Sequence, residues 1–155
     1  MSIKQVAKEI KKYDVDIIVI TGGEPMLQQE ELYKLLFELD GKYSVHLETN
    51  GDILPQLPEL FTYIAFSPKE KKVAQNVFPF CCLLNETIKW DIKIVTDLEM
   101  GAEMIQYASI LMPLSTYNKE EDLKIQQKVW TYCSENNIKY TPRIHKDVWG
   151  AKIGK

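Results

Sequence analysis

Thr21-Gly22-Gly23-Glu24-Pro25 is the stretch on which the reading of this chain turns. It follows a continuous β-branched run, Ile17-Ile18-Val19-Ile20, and precedes Leu32, Leu35, Leu36 and Leu39. A short apolar run of this kind suits a strand buried on both faces of a parallel sheet. Leucines at i, i+3, i+4 and i+7 suit one face of a helix laid on that sheet. Residues 22–25 are therefore expected at the carboxyl end of a strand, where α/β folds place their ligand sites. Paired glycines let the backbone come close to a ligand, and Glu24 brings a carboxylate suited to a cation such as an ammonium. The same spacing also fits a plain βα turn with an acidic residue near a helix N-terminus.

The chain has 155 residues, 45% apolar and 26% charged, which fits one globular domain, 1–155, with a sizeable core. Its net charge of -3 argues against non-specific nucleic-acid binding. No apolar run approaches the length of a membrane span, and the N-terminus does not read as a signal peptide. A cytoplasmic location, with no nucleic-acid or membrane partner, is the expectation. Of the three cysteines, adjacent Cys81 and Cys82 match no zinc or redox spacing. Cys133 shares a helical face with Ile125 and Val129 and reads as a small core residue. His46 falls inside a predicted strand as a packed or surface residue, and His145 in the tail is the better functional candidate.

Taken in order, Ser2 and Gln5 form a capping-box pattern ahead of a helix with Ile3, Val6, Ala7 and Ile10 on one face. A strand over 16–20 and a helix over about 26–39 follow, closed by Asp40-Gly41. Further strands are expected at 44–48, 62–66, 87–95, 109–112 and 138–141. Pro55 and Pro58 allow only a short or broken helix, and 70–86 is hard to read. Asp97 is placed to cap a helix over about 98–107, and 118–135 reads as a long helix stopped by Asn136-Asn137. Alternating strands and helices imply an α/β fold with a mostly parallel sheet. The polar clusters fall at strand ends: 21–24, 48–51, 67–69 and the loop after Met112. Together they would line one rim of a partial, open βα barrel.

In this order, Thr-Gly-Gly-Glu-Pro at 21–25, Glu-Thr-Asn-Gly at 48–51, Ser-Pro-Lys at 67–69 and His-Lys at 145–146 resemble the motifs of 7-carboxy-7-deazaguanine synthase. That family belongs to the radical S-adenosylmethionine (SAM) superfamily and the queuosine and deazapurine pathway. The resemblance runs from about Ser2 to Gly150 and implies a partial TIM-like barrel of radical SAM type. It also implies a lyase that converts 6-carboxy-tetrahydropterin to 7-carboxy-7-deazaguanine. In the family a reduced four-iron four-sulfur cluster cleaves SAM, the adenosyl radical takes a hydrogen from the substrate, the ring contracts and ammonia leaves, with magnesium assisting. Carried over by motif, Gly23, Glu24, Ser67, Pro68 and Lys69 would contact SAM. The strand tip Met112, Pro113, Leu114 and Ser115 falls where the family has a further SAM-binding loop, although Met112 replaces a common Gln. Thr21, Glu48, Asn50 and His145 would contact the pterin. Arg143 stands where a Gln is common.

The family holds its cluster on three cysteines spaced C-x3-C-x2-C in a loop after its first strand. This chain shows no such spacing, so no metal ligand is assigned to it. On the resemblance it looks like the family without its first part (a truncated gene product, a split gene or an incomplete gene model), incompetent alone, with a complementing N-terminal segment or a homodimer as the candidate partners. The strand 16–20 is then expected to present an open apolar edge, prone to homodimerisation or aggregation. A non-catalytic SAM- and pterin-binding module and a generic α/β domain are the rival readings.

Overall fold

In the computed structural model, which describes residues 1–150, Ser2 opens α1 (Ile3–Ile10) with the capping box expected of its sequence. The Gln5 amide donates to Ser2 Oγ at 3.3 Å, and the Ser2 amide donates to Gln5 Oε1 at 2.7 Å. Six strands follow in chain order, β1-β2-β3-β4-β5-β6: Ile17–Ile20, Ser44–Thr49, Tyr63–Phe66, Lys89–Thr96, Ile110–Pro113 and Lys139–Tyr140. Helices α2 (Gln29–Glu38), α3 (Lys71–Cys82), α4 (Lys119–Asn136) and α5 (Ile144–Trp149) lie between or after them. Among the described residues β1 and β6 each pair with one strand, so the sheet is open, as a partial βα barrel requires.

The chain falls into two compact units, one of Met1–Phe66 with Asn76–Trp90, the other of Ser67–Gln75 with the residues from Asp91 on. In the first, β1, β2 and β3 pair in parallel, with Val19 opposite His46 and His46 opposite Tyr63. Burial alternates along β2: Val45, Leu47 and Thr49 are buried, while Ser44, His46 and Glu48 are not. The buried face looks toward α1 and α2, because Val45 shares a cavity with Leu36 and Leu39, and Ile20 shares one with Ile3, Val6, Leu32 and Leu35. The expectation that β1 is buried on both faces does not hold. Ile17 and Val19 are 50% and 52% exposed, because among the described residues β1 pairs with a strand on one side only and turns its other residues, Ile18 and Ile20, toward the helices.

In the second unit β4, β5 and β6 pair in parallel. A buried carboxylate ties their starts together: Asp91 Oδ1 accepts from Ser109 Oγ at 2.6 Å and from Lys139 Nζ at 2.8 Å. The α-helix expected over 98–107 is not formed. Leu98 and Gly101 both take left-handed φ values, 74° and 75°, which break a right-handed helix. Asp97 caps this turn instead, accepting from the Glu99 and Met100 amides, and only a 3-10 helix, Ala102–Tyr107, remains. The helix expected from Met26 likewise starts as a 3-10 turn, Pro25–Gln28, before α2. No helix among the described residues is long and apolar enough to cross a membrane.

Candidate functional site

The first unit concentrates its polar side chains at the tips of β1 and β2. Beyond β1 the chain turns through Gly22 and Gly23 at φ 93° and 55°, a region that L side chains rarely adopt. A Cβ added at either would meet nothing within 4 Å. Among the described residues neither glycine has a hydrogen-bond partner, so the N–H and C=O groups of this exposed turn are free to serve a ligand.

Glu24 fills the acidic position of a βα turn, as its place before a helix allows, and adds a tie that the sequence did not show. Its carboxylate caps the 3-10 turn by accepting from the Met26 amide at 3.0 Å. The same carboxylate reaches across to the tip of β2. Oε1 accepts from Thr49 Oγ1 at 2.6 Å, and Oε2 accepts from the Asn50 amide at 2.8 Å. A carboxylate has about four acceptor positions, and these bonds use most of them. Glu24 is thus both the acidic cap of a βα turn and a tie between two strand-tip loops. Thr49, 4% exposed, passes the tie on by accepting from the Gly51 amide at 3.1 Å.

Thr21 and Glu48 meet at the exposed end of the same two strands, with Thr21 Oγ1 3.5 Å from Glu48 Oε2. Asn50 is less free than its motif suggests. Its side chain closes a turn with Asp52, donating to Asp52 Oδ2 at 2.8 Å and accepting from the Asp52 amide at 2.9 Å. Thr21, Glu24, Glu48 and Asn50 are therefore gathered at one place, with Thr49 as the member that sequence reading passed over. A cavity of about 410 Å³ between α1, β1 and α2 also has Thr21 and Gly22 on its wall.

In the second unit Ser67 is part-buried, Pro68 buried and Lys69 exposed, with no ion pair to Lys69 among the described residues. Met112 and Pro113 end β5, and the Leu114 amide continues the ladder to the Thr96 carbonyl at 2.9 Å. Ser115 is committed to its own loop: its hydroxyl donates to Asp122 Oδ2 at 2.8 Å. The Thr116 amide and hydroxyl donate to Asp122 Oδ1 at 2.6 and 3.0 Å. Burial would push the Asp122 carboxyl up, but these donors and the Lys146 charge outweigh it and hold the group below the usual carboxylate range. Lys146 Nζ also sits 3.7 Å from the centroid of the Tyr117 ring, a cation–π contact. The Nε of Arg143 is buried with no hydrogen-bond partner among the described residues, a donor suited to a carboxylate. His145 lies on α5, and its side chain is outside what the structure describes.

No family model matches the chain. Its relatives are more informative. The 7-carboxy-7-deazaguanine synthase of Aquifex aeolicus is 30% identical over 94% of this chain and 70% of its own length. That of Hyperthermus butylicus is 43% identical over 94% of the chain and 70% of its own length. The enzyme of the same name from Pyrobaculum aerophilum is 29% identical over 97% and 72%. The chain belongs to the 7-carboxy-7-deazaguanine synthase family. It is a family of radical SAM lyases of queuosine biosynthesis, which implies SAM and an iron-sulfur cluster.

The residues present fit these groups unequally. A cluster needs several thiolates facing one point. Cys81 is buried and its thiol is pushed up to about 12, first by burial and then by neighbouring Cys82. Cys82 is exposed, and consecutive helical residues point about 100° apart. Cys133 is buried, and burial pushes its thiol up as well. These cysteines do not fit a 7-carboxy-7-deazaguanine synthase cluster. No group of three or more His, Cys, Asp or Glu among the described residues is placed to hold a metal ion. The open backbone at Gly22 and Gly23 does fit the amino-acid end of a ligand such as SAM.

Proposed function

We propose that this chain serves the 7-carboxy-7-deazaguanine synthase reaction, in which 6-carboxy-tetrahydropterin becomes 7-carboxy-7-deazaguanine and ammonia is lost. The observation that carries this reading is the Glu24 carboxylate joining the two family motifs, Thr21–Pro25 and Glu48–Gly51, at the tips of adjacent strands. Thr21 and Glu48, 3.5 Å apart, offer a hydroxyl and an exposed carboxylate to the polar edge of a pterin. Asn50 and His145 are proposed pterin contacts with them. The backbone of Gly23, beside Glu24, receives the methionyl end of SAM. Ser67, Pro68 and Lys69 are proposed for its ribose and carboxylate, and Met112, Pro113, Leu114 and Ser115 as a further SAM contact. Arg143 suits a ligand carboxylate.

When bound, SAM supplies the hydrogen-abstracting chemistry of this family. This chain's own residues bind and orient. Because its thiols do not fit a cluster, we place the cluster ligands outside these 155 residues, on a preceding segment or a second chain. Magnesium is proposed as an assisting ion without ligands from the described residues. The cytoplasm, which keeps thiols reduced, suits the three free cysteines. The same mismatch of the cysteines supports a second reading, a SAM- and pterin-binding protein without catalysis.

Calorimetric titration of SAM into the chain and into Lys69→Ala tests the proposal. The expected result is measurable binding that weakens in the variant. Identical binding removes Lys69 from the site, and no binding to either removes the function.

A further inference from the structure

We infer that His46 and Tyr63 form the floor on which the pterin ring rests, with His46 reading the ring's edge. The inference deepens the proposed function and rests on it. It comes from the face of β1–β3 that points away from α1 and α2. Side chains on this face stand in rungs across the strands. Thr21 and Glu48 form the outermost rung, in hydroxyl–carboxylate contact. One step inward, the register sets Val19, His46 and Tyr63 side by side. Two residues along a strand advance about 6.6 Å, so a flat two-ring heterocycle held by Thr21 and Glu48 lies against this second rung.

The second rung is built for such a ring. The His46 and Tyr63 rings lie 5.2 Å apart at 58°, a tilted pair that presents aromatic surface. Both residues are part-buried, and Val19, 52% exposed, adds an apolar shoulder. Ser44, one step deeper on the same face, has its hydroxyl 3.4 Å from His46 Nε2 and 2.6 Å from Thr62 Oγ1. Ser44 thus steadies the imidazole through one nitrogen. Nδ1 has no hydrogen-bond partner among the described residues. An imidazole held at Nε2 and open at Nδ1 can donate to a ring nitrogen or accept from a ring N–H, according to its tautomer.

The test uses 6-carboxypterin, the air-stable aromatic analogue of the proposed substrate. Its fluorescence reports binding, and the NMR resonances of the imidazole protons report His46. The chain has two histidines, so His46→Gln identifies the signal. The expected result is a saturable shift of the His46 resonance that tracks the change in pterin fluorescence. His46→Ala should bind the pterin about tenfold more weakly, the factor that one hydrogen bond is worth. His46→Gln should recover most of the affinity, because its amide keeps a donor and an acceptor. SAM calorimetry should be unchanged in both variants, which shows that the fold is intact. Saturating fluorescence with an unmoved His46 resonance, or wild-type affinity in His46→Ala, overturns the inference and leaves the proposed function standing. No fluorescence change in the wild-type chain overturns the proposed function, and the role of His46 falls with it.

Discussion

The carboxylate of Glu24 accepts the hydroxyl of Thr49 at 2.6 Å, across 25 residues of sequence and between the ends of two adjacent strands. It makes the acidic residue of the glycine-rich turn a part of the scaffold, whatever it contributes to a ligand.

Removing that carboxylate should cost stability. Glu24→Ala leaves the buried Thr49 hydroxyl and the Asn50 amide without their acceptor, a loss of about 1–3 kcal/mol for an unsatisfied buried group. Glu24→Gln keeps one acceptor oxygen and should fall between wild type and Ala. Urea unfolding of the three proteins checks this order. An Ala variant as stable as wild type would mean that the tie is not made in solution.

The β1–β2 pairing is what makes Glu24 legible only in three dimensions. The turn, its strand and its helix are all readable from 17–39, but the tie needs the register that sets Ile20 beside Leu47. The same holds for His46, whose face is fixed only once Val19 and Tyr63 are its neighbours. Local signals that carry their own chemistry were read correctly, such as the Ser2–Gln5 capping box and the stop of the long helix at Asn136-Asn137, whereas Asn118, placed inside that helix, is its cap and accepts from the Glu120 and Glu121 amides. The segment 70–86 resisted reading because α3 runs through Pro79, which supplies no N–H to the helix. The turn after β4 misled because Asp97 caps a turn as readily as a helix. Ser115 and Asp122 meet only because the loop folds back onto the first turn of α4.

Acid should loosen the loop after β5. The Asp122 carboxyl is held below its ordinary value in the folded chain, so its contribution is present above the unfolded value of about 3.9. It is lost as the pH falls through the lower folded value. Urea midpoints measured from pH 6 downward should therefore fall below about pH 4, and Asp122→Asn should flatten that decline. An identical acid limb in the variant would contradict the bonds to Ser115 and Thr116.

The exposed edge of β1 should drive self-association. Ile17, 50% exposed, lies on β1, whose side away from β2 is unpaired among the described residues. Burying an apolar side chain of this size is worth roughly 1.5–3 kcal/mol, enough to favour pairing of edges. Light scattering across concentration should show association in the chain as given and a shift toward monomer in Ile17→Lys. A monomer at every concentration would show that the edge is protected.

Anaerobic reconstitution with iron and sulfide should yield no stoichiometric cluster on these 155 residues. The Cys81 thiol, pushed up to about 12, stays protonated at neutral pH, whereas cluster ligands are thiolates. A full cluster by metal and sulfide analysis would overturn the assignment of its ligands to a segment outside this chain.

We propose that the tips of β1 and β2 hold the pterin through Thr21 and Glu48. Equilibrium titration of 6-carboxypterin against the chain, Thr21→Val and Glu48→Gln tests it most directly. The account predicts saturable binding by the wild-type chain, weakened about tenfold or more in each variant, the cost of losing one hydrogen bond or charge-assisted contact. Binding of equal strength in all three would contradict it.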